Sequence, residues 1–355
     1  MSEGDDNAVL IVNPLNDYAL AHYEDELFET LNHSGQCDVE IADTVPGDDI
    51  TGPLHRVAVA ARIVWERTTM ARKVSGRIVI VTWPLFGYLE PLTLLLLARR
   101  NTVYIIVHDP SPMRRSYGQS RWARSLFKAV VHRRGIRVLY HTEHARRVGA
   151  HHNGVDGTVV PHPVSLVASQ RPKQQGGRAS RPVVRVLGAY KNTRSMTALT
   201  MLAEHAAGSC ELEIHGRGWP EVSGWTVMDR LVPEQEFAAL VASSDCVVIP
   251  YDLFFQSGVA VRCLESGVPV VAPQHEHIEQ LYGQEWTGTV RGESDWYDAL
   301  VRALAVDTEE IRSRHRQVAQ EILGAWQEFL STDGAVPRVR ERRPLPPSDR
   351  PFGFG

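Results

Sequence analysis

The chain has 355 residues, 43% hydrophobic and 23% charged, with a net charge of −4 at pH 7. That length suffices for two α/β domains with their own cores, and the charge balance argues against a nucleic-acid binder. Cys37, Cys210, Cys246 and Cys263 are scattered, with no CxxC pair and no histidine cluster at metal spacing, so reduced thiols and no metal are expected.

The acidic start runs into an apolar strand pattern instead of a signal peptide. The longest apolar run, 92–98, is too short to span a bilayer. Both point to a cytoplasmic protein, with attachment to the inner face of a membrane left open. Strands are expected at 8–13, 38–41, 77–82, 103–108, 137–141 and 158–160, with helical patterns at 23–32, 54–74 and 121–133. This alternation predicts βαβ units and a parallel sheet, whose ligands lie beyond the carboxyl ends of the strands. Candidate positions there include Trp83, His108-Asp109, His141 and His162.

Residues 169–182 are polar and aperiodic and read as a linker. A second alternation follows, with strands at 183–187, 211–215, 246–249, 269–272 and 287–290. Asp307 and Glu310 form a capping box ahead of a long helix ending near Leu330. The tail, rich in Arg, Pro and Gly, has the composition of a disordered segment. The division is therefore 1–168, a linker at 169–182, 183–306, a helix at 307–330 crossing back to the first domain, and a tail at 331–355.

The dinucleotide fingerprint GxGxxG is missing: Gly216-Arg217-Gly218 comes nearest, but Trp219-Pro220 follows it and no helix does. Neither a P-loop nor a GxSxG elbow occurs. The stretch 243–272 reads instead as strand, aromatic loop (Tyr251 to Gln256), helix opened by Ser257-Gly258, and strand. Ser can cap a helix start and Gly lets a ligand approach its amides, which makes a phosphate site. On these residues alone an ordinary connecting loop is equally acceptable. Further along the same strand ends lie Gly188 with Lys191 and Arg194, and Asp229 to Pro233 before a helix.

The order of these motifs resembles the retaining GT-B glycosyltransferases of the family 4 kind. It is carried by Leu187-Gly188 with a basic residue six positions on, the turn Ile214 to Gly218, Leu231-Val232-Pro233-Glu234, Ser244 to Tyr251, Gln256 to Val259, and Gly267 to Val271. The resemblance implies a GT-B fold: two Rossmann-like, doubly wound α/β domains facing a cleft. It implies a nucleotide-diphosphate sugar as donor substrate with no resident cofactor, a glycan or lipid-linked acceptor, and hexosyl transfer with retention in cell-envelope or exopolysaccharide synthesis. Arg194 and Lys191 would offset charge on the leaving diphosphate, and His108 would reach a donor-sugar hydroxyl. Ser257, Gly258, Val259 and Gly188 would hold the phosphates. Gln256, Glu265, Tyr251, Gly216, Arg217 and Val232 would contact sugar or nucleotide.

The chain departs from the family pattern where two glutamates usually flank the phosphate loop: those positions hold Phe254 and Arg262. The usual Arg after the first glycine is Ala189. A non-catalytic binding protein of the same fold, or a nucleotide-sugar epimerase, are the alternatives this leaves open. Lys191 and Arg194 could equally be solvated, Glu265 a surface charge, and Tyr251 and Phe254 packing residues. The segment 114–137 lacks acidic residues and interleaves Arg and Lys with Trp122 and Phe127. It is either a helix resting on the first sheet with a solvated basic face or a contact for an anionic membrane.

Overall fold

The structure, a computed structural model, describes residues 8–13, 21–35, 37–42, 53–111, 118–133, 135–168 and 181–332. The linker 169–180, the tail from 333 onward, and Arg114, Arg115 and Arg134 of the basic segment lie outside them.

The first half contains β1 (Val9–Val12), α1 (Ala21–His33), β2 (Val39–Ile41), α2 (Pro53–Lys73), β3 (Ile78–Val81), α3 (Glu90–Leu94), β4 (Thr102–Ile106), α4 (Arg121–Arg133), β5 (Ile136–Tyr140), α5 (Glu143–Asn153) and β6 (Thr158–Val159). Its strands are all parallel in the order β2-β1-β3-β4-β5-β6. β1, β3 and β4 are buried along their whole length, as strands covered by helices on both faces must be. That double covering is why they read as unbroken Val/Ile runs.

The second half contains β7 (Val183–Leu187), α6 (Met196–Ala206), β8 (Glu211–His215), β9 (Thr226–Met228), α7 (Glu234–Ala242), β10 (Cys246–Val248), α8 (Gly258–Glu265), β11 (Val270–Pro273), α9 (Glu276–Tyr282), β12 (Thr289–Val290), α10 (Trp296–Leu304) and α11 (Thr308–Thr332). Here the order is β12-β11-β10-β7-β8-β9, again parallel. Each expected strand is present. β9 is an addition that periodicity misses, because this three-residue edge strand is largely exposed and offers no apolar run.

The last helix begins after Asp307, whose carboxylate accepts from the Glu309 amide at 3.1 Å. It then carries Trp326 to the Pro161 carbonyl (3.1 Å), Gln327 to the Ser34 carbonyl (3.3 Å) and Phe329 against Tyr104 at 5.0 Å. One apolar cluster accordingly runs from Val9 and Ile11 of the first sheet through α11 to Val247 and Val270 of the second. The halves share a core along that seam.

Candidate active site between the two sheets

In each sheet the strand order reverses once, between β1 and β3 and between β7 and β10. At such a switch the two following loops part to opposite faces and open a crevice at the strand ends. The crevice between β7 and β10 is bordered by Gly188 to Ser195 on one side and Ile249 to Ser257 on the other. These are the stretches that sequence reading singles out.

Gly188 and Gly216 make that border thin. A Cβ on Gly216 would stand 2.1 Å from the Gly188 carbonyl oxygen, so no larger residue fits there. The two loops are zipped together by Gly188 N–H to the His215 carbonyl, Tyr190 N–H to the Arg217 carbonyl, and Trp219 Nε1–H to the Gly188 carbonyl, each 2.9 Å. Gly188, with φ of 96°, turns the chain out of β7 in a conformation that side chains resist.

Ser257 caps α8, its hydroxyl accepting from the Ala260 amide at 3.3 Å. The amides of Gly258 and Val259 meet no acceptor among the described residues. Gly258 is exposed, and a Cβ there would enter open space. Free amides at the positive end of a helix dipole form a site for anions.

The two basic residues differ. Lys191 is exposed, and its charge acts on Asp109 at the end of β4 across the cleft. The protein around Asp109 raises its carboxyl above the usual range, and Lys191 draws it back. Arg194 is 4% exposed. Its guanidinium lies 4.6 Å from the Tyr251 ring centroid and 5.0 Å from that of Trp219, and it donates to the Leu187 carbonyl at 2.8 Å. Arg194 thus holds the loop from beneath, whereas Lys191 offers a free ammonium.

His108 is buried, donates from Nε2 to the Thr82 carbonyl at 2.8 Å and accepts at Nδ1 from the Gln256 amide. Burial pulls it down to about 4, so it is neutral at pH 7. It belongs to a set of packed rings: Tyr23 meets His108 at 5.0 Å, His141 at 5.6 Å and His162 at 4.9 Å, and His162 meets His277 at 5.8 Å. The Tyr23 hydroxyl donates to His141 Nε2 at 2.9 Å while His141 Nδ1 donates to the Val160 carbonyl at 2.8 Å. Sequence reading picked out His108, His141 and His162 one by one at strand ends; their assembly around Tyr23 of α1 had no local signal.

Glu265 and the two residues at the family's glutamate positions are engaged elsewhere. Glu265, expected at a ribose, turns to the seam between the halves, where it accepts from the Ser165 amide at 2.7 Å and from His22 at 2.9 Å. Arg262 pairs with Glu234 at 2.5 Å and lies over Phe237. Phe254 stacks on His275 at 4.1 Å, and Phe255 crosses to the first half to stack on His144 at 5.6 Å. Val232 is half-buried, and Arg217 is exposed at the zipped turn.

Behind His108 a cavity of about 260 Å³ opens at the ends of β3 and β4, between Trp83, Tyr88, Asp109, Phe127 and Asn153. The Asn153 Oδ1 is buried without a hydrogen-bond partner among the described residues, while its Nδ2 donates to the Pro110 carbonyl at 2.9 Å. Its lining includes Asp109, the residue on which Lys191 of the other half acts.

No family model matches the sequence, and no curated protein does. Among solved structures the chain is similar to an α,α-trehalose-phosphate synthase (UDP-forming) from Burkholderia xenovorans in complex with glucose-6-phosphate, at 11% identity and TM-score 0.63, covering 92% of this chain and 99% of that one. It is also similar to an E. coli protein described as trehalose-6-phosphate bound with UDP-2-fluoro glucose (10%, TM-score 0.59, covering 92% and 98%). A sucrose-phosphate synthase from Thermosynechococcus elongatus matches at 14% identity and TM-score 0.60, covering 92% and 97%. At these identities the likeness establishes the architecture, the GT-B fold of two parallel six-stranded sheets facing a cleft.

Proposed function

We propose that this chain transfers a hexosyl group from a nucleotide-diphosphate sugar to a glycan or lipid-linked acceptor, with retention, in cell-envelope or exopolysaccharide synthesis. The observation that carries the reading is the convergence at one switch point of the open amides of Gly258 and Val259 with the exposed ammonium of Lys191. Similar folds in solved structures bind UDP-2-fluoro glucose and glucose-6-phosphate.

In this reading the α8 N-terminus and Lys191 receive the diphosphate and offset the charge that grows on it as the glycosidic bond breaks. Arg194 holds the Lys191 loop in place, and Gly188 and Gly216 let the donor lie close to the backbone. Arg217 and Val232 border the nucleotide end, while Gln256 and Tyr251 border the sugar. The acceptor enters the pocket behind His108 and attacks from the face by which the diphosphate leaves, its proton passing to a leaving phosphate oxygen. His108, neutral at pH 7, has both ring nitrogens engaged, by the Thr82 carbonyl and the Gln256 amide, so it positions Gln256 toward the sugar in place of the direct contact expected from the sequence. Trp122, 69% exposed beside Arg121 on α4, suits contact with an anionic membrane carrying a lipid-linked acceptor.

The test is thermal shift and donor hydrolysis with a panel of UDP- and GDP-sugars. A melting temperature raised by one donor class, with hydrolysis of that donor, is expected; no donor binding at millimolar concentration sinks the reading. The commitment of Phe254 to His275 and of Arg262 to Glu234 favours a second reading, a binding protein on the same fold. Donor affinity without hydrolysis or transfer to any acceptor would select it.

A further inference from the structure

The seam between the halves contains a group of donors that the sequence does not show. His22 and Glu26 lie one turn apart on α1, and Glu265 comes from α8. His22 Nε2 stands 2.7 Å from Glu26 Oε1 and 2.9 Å from Glu265 Oε2. All three ligand atoms fall within 4.8 Å of one another. Both glutamate side chains are 2% exposed. Two carboxylates side by side out of water repel each other and lose hydration, so such a pair holds either a proton or a cation between them. Both Glu26 oxygens are buried, and among the described residues the partner open to them is Glu265 itself, through a shared proton; the His22 ring stands 2.7 Å away. The nearby Arg262 is already paired with Glu234.

We propose that His22, Glu26 and Glu265 bind a divalent transition-metal ion that clamps α1 to α8. One imidazole nitrogen and two carboxylates form a donor set for Zn²⁺ or Mn²⁺; Mg²⁺ and Ca²⁺ prefer oxygen alone. Adjacent ligands around an ion with bonds of about 2.0–2.2 Å lie about 2.8–3.1 Å apart at right angles and about 3.3–3.6 Å apart in a tetrahedron, so the separations of 2.7 and 2.9 Å approach an octahedral edge and must widen for a tetrahedral ion. The remaining Glu265 oxygen is fixed by the Ser165 amide, the kind of outer contact that orients a metal-bound carboxylate. His22 is one-third exposed, which supplies an entry path and room for a water ligand. The clamp sits at the far end of α8 from Gly258, so the ion's role is to hold the helix against the first half and not to touch a donor.

The test uses the full chain stripped with chelator and titrated with Zn²⁺, Mn²⁺ and Mg²⁺ at pH 7.5, read by calorimetry and by melting temperature. One equivalent of Zn²⁺ or Mn²⁺ per chain is expected, with a melting temperature raised by several degrees and no comparable effect of Mg²⁺. Glu26→Gln, which keeps the side-chain volume, and His22→Ala should each weaken that binding at least ten-fold. Circular dichroism checks that both variants fold. Absence of a stoichiometric site in the native chain overturns the proposal, as does a site whose affinity survives in both variants, since other surface histidines would then hold the ion.

Discussion

Acidification is a direct probe of the ring cluster behind the cleft. His108 and His162 are both held down to about 4 because burial disfavours their charged forms. Unfolded, each titrates near 6.5, so the unfolded chain binds more protons between those values. Their contribution is fully present above pH 6.5 and is lost as pH falls toward 4. At pH 5.5 an unfolded histidine is about nine-tenths protonated and the buried one only a few per cent, a difference of about one pH unit or about 1.4 kcal/mol each. The pair therefore removes about 3 kcal/mol between pH 7.5 and 5.5. His141 and His277, pushed down further by burial and by neighbouring imidazoles, move in the same direction. Glu26, pushed up by burial, opposes them in part. With a urea slope of about 3 kcal/mol per molar, the midpoint should drop by about 1 M. Near-ultraviolet circular dichroism in urea at the two pH values measures it. His108→Gln, which can still donate to the Thr82 carbonyl, should shrink the drop by about half a molar. An unchanged midpoint in the native chain would refute the claim that these rings are buried and neutral.

Three further outcomes are expected. Lys191→Ala should lower kcat of donor turnover by about a hundred-fold or more with the fold intact, because it removes charge stabilisation at the diphosphate without touching the core; steady-state kinetics and an unchanged melting curve check it. Gly216→Ala should destabilise by about 2 kcal/mol, since its methyl group would enter the Gly188 carbonyl, and should weaken donor binding by parting the two loops; urea melts and donor titration read the two effects. Phe255→Ala should cost about 3–5 kcal/mol by leaving a hole where a 2%-exposed ring crosses to His144, and should increase proteolysis at the seam.

Much of the fold was legible because parallel strands buried on both faces leave unbroken apolar runs, and because Gly and Pro mark the ends between them. β10, with Cys246 to Val248, and α8, with its Ser257 cap and stop at Gly267, stand where the residues placed them. The candidate site was legible only in part. Ser257 caps α8 and Gly188 turns the chain out of β7, local backbone features that local sequence records. Glu265 meets Ser165 and His22, and Arg194 meets Trp219 and Tyr251, partners that no local pattern announces, and neither is a free side chain in the cleft.

The sequence by itself determined the parallel α/β class, the two successive alternations and the phosphate-loop candidate, since each follows from neighbours within a few residues. The tertiary structure alone decided that Tyr23 gathers three histidines, that Phe255 and Gln256 cross to the first half, and that His22, Glu26 and Glu265 meet at one point. The physical reason is range. Periodicity and capping are properties of one turn or one strand, whereas these contacts join distant segments: the parallel order of the first sheet gathers the rings around Tyr23, and the seam brings α8 and its loop to the first half.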